Sequence, residues 1–165
     1  MIYILTGTIR SGKTTALKKW VGTRHDVDGL LSPDNDNGKR YFLKVKSKKE
    51  FEFEVETELE NKNEDIIEIG PFKFLKSAFV EANEFLISNP FEAVNKYLII
   101  DELGKLELKN EGLHVSAERL IPEFENNENS HLILVVRDYL VDAVLKHYSI
   151  TEHRIITKED LELLT

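Results

Sequence analysis

Gly7-Thr8-Ile9-Arg10-Ser11-Gly12-Lys13-Thr14 fits the spacing G-x-x-x-x-G-K-[ST] without a mismatch. The spacing has a physical cause. A glycine at each end lets the backbone wrap closely around an anion, with its N–H groups turned inward. A helix starting at Lys13 adds the positive end of its dipole. Lys13 has the reach for the outer phosphates of a bound nucleotide, and Thr14 can offer its hydroxyl to Mg²⁺. The flanks agree with this reading. Ile2 to Thr6 is a short apolar run that suits a buried strand. Lys13 to Val21 carries Ala16, Leu17 and Trp20 on one helical face, which places Trp20 in the core.

Farther along, Tyr97-Leu98-Ile99-Ile100-Asp101-Glu102 is a continuous apolar run that ends in two carboxylates. Such a run predicts a central parallel strand. Beside a phosphate loop, Asp101 is suited to hold Mg²⁺ through water, because this small hard ion keeps much of its hydration shell. Glu102 is then placed to orient a water for attack on the γ-phosphate. A kinase must exclude water, whereas a hydrolase must hold one in line. A carboxylate directly after the metal aspartate suits the hydrolase.

The remaining elements alternate between strands and helices. Gly29 to Ser32 is a second short apolar run, followed by a loop at Pro33-Asp34-Asn35-Asp36-Asn37-Gly38. Period-two patterns at Tyr41 to Lys46 and Phe51 to Glu56 predict an antiparallel hairpin inserted at about residues 39–58. A turn at Lys48-Lys49 would set Lys44 against Glu54 and Lys46 against Glu52, a self-neutralised solvated face rather than a binding patch. Ile66 to Ile69 reads as a strand. Pro71 reads as the start of a helix carrying Phe72, Leu75, Phe79, Ala82 and Leu86, which ends before Asn89-Pro90. Leu132 to Val136 is a further buried strand, and Asp138 can cap a helix bearing Leu140, Val141, Val144 and Leu145. Ile155-Ile156 is a last short strand, and Thr157 with Asp160 resembles a capping box opening a C-terminal helix. This alternation predicts an α/β fold with a mixed, mainly parallel sheet.

Composition limits the partners. At 165 residues the chain has the size of one domain, and its 41% hydrophobic and 32% charged residues make a globular balance. Lys+Arg 22 against Asp+Glu 30 gives a formal charge of −8, so neither nucleic acid nor an anionic membrane is an expected partner. Cysteine is absent, which excludes disulfides, thiolate zinc sites and cysteine nucleophiles. Met1 to Gly7 lacks the pattern of a signal peptide, and no apolar run approaches the ~20 residues of a bilayer span. A soluble, cytoplasmic protein is expected. His25, His114, His131, His147 and His153 show no metal-ligand spacing. Tyr139, beyond the Leu132 to Val136 strand, is an aromatic that could stack on a base.

Asp101-Glu102-Leu103-Gly104-Lys105-Leu106-Glu107-Leu108 resembles the D-E-[IL]-G-K-[ML]-E-L signature of the small THEP-type nucleoside-triphosphatases. Thr6 to Thr15 matches that family's opening T-G-x-x-x-x-G-K-T-T, and the order of elements between the two motifs agrees. The resemblance implies a three-layer, RecA-like P-loop fold. It also implies slow, Mg²⁺-dependent hydrolysis of several nucleoside triphosphates, ATP and GTP among them, to diphosphates. Lys105 matches the family's lysine, which would set a positive charge near the γ-phosphate. The nucleotide would lie on Gly7 to Thr15, with Thr14 and Asp101 on the metal and Lys13, Glu102 and Lys105 at the reacting phosphate. One departure stands out. The family's Glu-x-Arg element after the second strand is replaced by Pro33-Asp34-Asn35-Asp36-Asn37, with no arginine before Arg40. Loss of that charge predicts a slow enzyme, and Arg10 and Arg137 are the nearest replacements. Two rivals share the loop: a small nucleotide or nucleoside kinase, and a nucleotide-gated partner protein without significant turnover. The first needs an acceptor site, and Glu102 weighs against the second.

Overall fold

The computed structural model describes residues 1–56, 65–88 and 94–165. The hairpin's expected end at residues 57 and 58, and Asn89 and Pro90, lie outside the described residues. Strand β1 (Ile2–Gly7) leads through the glycine-rich turn into helix α1 (Lys13–Val21). Strands β2 (Val27–Leu31), β3 (Tyr41–Lys44), β4 (Glu50–Glu52), β5 (Ile66–Ile69) and β6 (Phe72–Leu75) follow, then helix α2 (Lys76–Ser88). Strand β7 (Tyr97–Leu103) carries the acidic pair. After it come α3 (Lys105–Leu108), α4 (His114–Glu125), β8 (His131–Arg137), α5 (Val141–His147) and β9 (His153–Ile156). A 3₁₀ segment, Lys158–Leu163, follows β9.

Seven strands form one sheet in the order β4-β3-β2-β7-β8-β1-β9. The five strands from β2 to β9 in that order are parallel, and β3 and β4 add an antiparallel edge. β5 and β6 form a separate two-stranded antiparallel sheet. The main sheet is buried on both faces, because its central strands are apolar on both sides through most of their length and cannot leave a face wet. One face packs on Leu17, Trp20 and Val21 of α1 and on Leu161. The other packs on α2, α4 and α5 through residues such as Phe79, Ile121 and Val144. Three layers result. Among the described residues, no helix is long and apolar enough to cross a membrane.

The parallel strands end at one edge, where open α/β sheets bind ligands. Register brings the motifs to that edge: Gly7 lies beside Arg137 across β1 and β8, and Asp101 lies beside Val135 across β7 and β8. Gly29 faces Ile99 across β2 and β7 with φ +126°, and a Cβ there would sit 2.2 Å from the Ile99 carbonyl oxygen. Only glycine lets β2 lie this close to β7.

Four local expectations are corrected. Residues Phe72 to Leu75 form β6, not the first turn of a helix, and α2 starts at Lys76. Leu75 N–H donates to Phe53 O at 2.7 Å and Val55 N–H to Lys73 O at 2.9 Å, so strand partners satisfy this backbone. An apolar spacing of three suits a helix, but four residues are too few for periodicity to decide, and tertiary pairing does. The β3–β4 hairpin pairs Phe42 with Phe51 and Tyr41 with Glu52, an odd-numbered slip from the expected register. Such a slip turns the other side chains inward. Phe42 is 1% exposed and stacks on Phe53 at 4.0 Å, while Leu43 and Val45 bury on the opposite face. Lys44 therefore pairs with Glu81 of α2 at 3.6 Å, not with Glu54. Finally, α5 starts at Val141, after a 3₁₀ turn over Asp138–Leu140. Asp138 Oδ1 accepts from the Tyr139 N–H at 2.8 Å. The capping box at Thr157 forms, with Thr157 N–H donating to Asp160 Oδ2 at 2.7 Å, but it opens a 3₁₀ segment.

Candidate active site

The glycine-rich turn crosses from β1 to α1 as a tight loop. Gly12, with φ +86°, caps the helix in the left-handed region, and a Cβ on Gly7 would stand 2.8 Å from Ser11 Oγ. Glycine at both positions thus lets the loop turn this tightly, and the first N–H groups of α1 have no partner within the helix. Thr8, Ile9, Arg10 and Thr15 are exposed around it. Lys13 is 7% exposed and folds back over the loop. Its Nζ donates to Thr8 O at 2.8 Å, Gly7 O at 3.3 Å and Ser11 Oγ at 3.3 Å. Burial lowers its pKa from the ordinary lysine value, against the pull of Glu102 and Asp101.

The loop and the acidic strand meet directly. Thr14 Oγ1 donates to Asp101 Oδ2 at 2.8 Å. Ser32, just beyond β2, donates its N–H to the same oxygen at 3.1 Å and its hydroxyl to Asp101 O at 2.8 Å. Asp101 is 1% exposed. Burial, with the charge of Glu102 beside it, pushes its pKa up to about 6, against the hydrogen bonds from Ser32 and Thr14. The positive charge of Arg40 acts in the same direction as those hydrogen bonds, and burial still outweighs them. The donor set, a threonine hydroxyl and a carboxylate, is made of hard oxygens and fits Mg²⁺. Among the described residues, no group of three or more His, Cys, Asp or Glu could cage a metal. A cation here would lean on phosphate oxygens and water, the coordination Mg²⁺ favours.

Glu102 sits beside this pair and is gripped by two arginines. Arg40 Nη1 donates to Glu102 Oε1 at 3.0 Å, and Arg137 Nη2 lies 3.1 Å from the same oxygen. Burial alone would lower the Arg40 pKa, but the charge and hydrogen bond of Glu102 outweigh it and raise it. Arg137 is thus at the site. Arg10 is exposed and makes no ion pair among the described residues. Lys105, at the start of α3, is exposed, and its Nζ lies 6.0 Å from the Tyr139 ring centroid. The α3 loop is pinned by Glu107, 3% exposed, which accepts from Gly104 N–H at 2.7 Å and Leu113 N–H at 2.9 Å.

Two residues at this edge escaped the sequence reading. Arg40 precedes β3, and antiparallel pairing returns the chain to the end of β2 beside Glu102. The signal was present: it is the first arginine after the loop that lacks one. Lys158 donates through Nζ to Ser11 O at 2.7 Å, linking the C-terminal segment to the phosphate loop. Nothing local in its sequence marks it, because only the β1–β9 pairing brings it there.

Two solved structures share the fold. THEP1 from the hyperthermophile Aquifex aeolicus superposes with a TM-score of 0.72 at 20% identity, covering 100% of this chain and 97% of that one. A human cancer-related nucleoside triphosphatase superposes with a TM-score of 0.64 at 15% identity, covering 99% of this chain and 92% of that one. No curated protein matches the sequence. The model of the NTPase family matches residues 2–162, a span that holds the phosphate loop, the acidic strand, Arg40, Arg137 and Lys158. With that match the chain is placed: it belongs to the NTPase family, of the THEP1 type.

Proposed function

We propose that this protein is a Mg²⁺-dependent nucleoside-triphosphatase, releasing phosphate and a nucleoside diphosphate. The observation that carries the reading is the 2.8 Å bond from Thr14 to Asp101, which joins the anion cradle to the acidic strand at one point. Lys13 and the loop amides of Gly7 to Thr15 grip the phosphates. Thr14 and Asp101 hold Mg²⁺, which when bound neutralises charge on the phosphates. Glu102 orients the attacking water and accepts its proton. Arg40, Arg137 and Lys105 set positive charge where the γ-phosphate gains negative charge as its bond breaks. The family match from residue 2 to 162 supports reading residues 1–165 as one such domain.

Slow turnover and breadth in the base follow the family resemblance. The missing mid-chain arginine no longer supports slowness, since Arg40 reaches the site. A different reason takes its place. Both arginines are tied to the carboxylate that must hold the water, and each must loosen to serve the phosphate. The net charge of −8 supports a nucleotide partner over nucleic acid or membrane, and a cytoplasmic setting agrees with the absence of cysteine.

The test is phosphate release from ATP, GTP, CTP and UTP, with Mg²⁺ and with EDTA, for wild type and Glu102→Gln. All four triphosphates should be hydrolysed and EDTA should stop the reaction. Glu102→Gln should bind nucleotide but lose about 10²-fold or more in rate. Full turnover by that variant overturns the role of Glu102. Tight nucleotide binding with no release in wild type overturns the enzyme.

A further inference from the structure

A cavity of about 230 Å³ opens from the acidic pair away from the phosphate loop. Five phenylalanines wall it: Phe42, Phe53, Phe72, Phe74 and Phe79. Its other end is polar, where Glu102, Arg40, Arg137 and Lys105 line it. None of Gly7 to Thr15 does, so it lies across Glu102 from the cradle. Four of the phenylalanines are 8% exposed or less, but Phe72 is 45% exposed, a large ring left in solvent beside the cavity. Phe72 and Phe74 stack with centroids 6.3 Å apart and planes 9° off parallel.

Hydrolysis needs no such room. A water occupies roughly 30 Å³ and requires two to four polar partners, which phenylalanine walls do not give. Drug-sized ligands fill roughly 300–1,000 Å³, so this volume admits a single ring with a short substituent. Flat aromatic walls favour a flat aromatic guest, through offset and edge contacts. The guest is apolar over most of its surface, because the rings make the walls and Arg40, Glu102, Lys105 and Arg137 gather at the polar end, with Glu107 also in the lining. Both Glu107 oxygens are taken by the N–H groups of Gly104 and Leu113.

We propose that this cavity binds a single-ring aromatic alcohol whose hydroxyl faces Glu102 and replaces water as acceptor of the γ-phosphoryl group. The transfer step rests on the triphosphate reading above; the binding does not. In the step, the alcohol oxygen bonds to the γ-phosphorus and the bond from that phosphorus to the bridging oxygen breaks. The electron pair leaves with the nucleoside diphosphate, and the hydroxyl proton passes to Glu102. The products are a phosphomonoester and a diphosphate, and no further reactant is needed. Phosphate release to water is the same reaction with the cavity empty.

The experiment incubates the protein with Mg²⁺ and γ-labelled ATP in the presence of benzyl alcohol, pyridin-3-ylmethanol or glycerol. In parallel, saturation-transfer NMR follows benzyl alcohol on the nucleotide-free protein, for wild type and Phe72→Ala. The aromatic alcohols should take label at least about tenfold better than glycerol, and Phe72→Ala should lower the ratio of transfer to hydrolysis by about tenfold. The NMR signal should weaken in the variant, whose fold is checked by circular dichroism. If hydrolysis proceeds while the aromatic alcohols accept no more label than glycerol, the acceptor proposal is overturned and the hydrolase stands. If no phosphate leaves ATP at all, the hydrolase reading fails, and the NMR decides the cavity: signal lost in Phe72→Ala upholds binding, and none in wild type ends it.

Discussion

Arg40 reaches Glu102 across 62 residues of sequence, donating through Nη1 to Oε1 at 3.0 Å. The backbone of Arg40 is itself fixed. Its N–H donates to Glu54 Oε2 at 3.2 Å, and Glu54 N–H donates back to Arg40 O at 3.2 Å. Glu54 is 7% exposed, so this clamp is shielded from water. The antiparallel edge of the sheet therefore presents one guanidinium to the acidic strand, while β8 presents a second.

Replacing Arg40 with alanine should lower the hydrolytic rate about 10²-fold, with nucleotide affinity changed much less, because the charge matters most as the γ-phosphate departs. Arg137→Ala should act in the same direction. The double variant should lose less than the product of the two, since both guanidinium groups sit on one carboxylate oxygen. Single-turnover hydrolysis beside equilibrium nucleotide binding measures this. An Arg40→Ala rate within twofold of wild type would remove Arg40 from the mechanism.

The difference between Arg40 and Lys13 shows what could be read in advance. Lys13 was legible because its partners are local: the loop carbonyls it bonds come from Gly7 and Thr8. Asp101 is legible because an acidic pair that ends an apolar strand, common by itself, occurs in one chain with a phosphate loop. The parallel sheet followed from alternation alone. Arg40 depends on pairing between strands, which sequence period does not fix, and the same pairing misled the reading of the hairpin register. Phe72 and Leu75 at spacing three suited a helix locally, and only strand partners, Ile69 for Phe72 and Ile66 and Phe53 for Leu75, made them a strand. The phenylalanine-walled cavity could not be anticipated, because its lining comes from stretches scattered between Ser32 and Arg137.

Gly29→Ala should destabilise the fold by roughly 3 kcal/mol, combining a strained backbone with overpacking between strands. The contact to be relieved is with the Ile99 backbone at 2.2 Å, which cannot move aside as a flexible side chain would. Since β2 leads to Ser32 and its two bonds to Asp101, nucleotide affinity should fall too. Urea unfolding with and without ADP tests both. A loss below about 1 kcal/mol would mean that β2 and β7 can separate at little cost.

Thr14→Ala should raise the Mg²⁺ concentration needed for half-maximal hydrolysis by about tenfold, as one hard oxygen is lost from the cation's reach. Thr14→Ser keeps the hydroxyl and should stay near wild type. Magnesium titrations at saturating nucleotide separate the two. Equal titration curves for alanine and serine would assign Thr14 to the helix alone.

Glu107 gives the stability a pH slope whose sign can be worked out. Burial pushes its pKa from the ordinary 4.5 up to about 7, against the hydrogen bonds from Leu113 and Gly104, and the charge of Glu102 adds to the rise. Between those two values the folded state binds more proton than the unfolded chain. Stability from this group is therefore fully present below pH 4.5 and is lost as pH rises through about 7. The effect is on the order of 3 kcal/mol. Asp101, also raised, slopes the same way, but it is present in both proteins when wild type is compared with Glu107→Gln. The glutamine carries no titrating proton, and its amide can accept from only one of the two N–H groups. Its unfolding free energy should be flatter between pH 5 and pH 8 than that of wild type, measured by urea denaturation at both. Parallel slopes would show that Glu107 keeps its charge when buried, with the Gly104 and Leu113 N–H groups stabilising it fully.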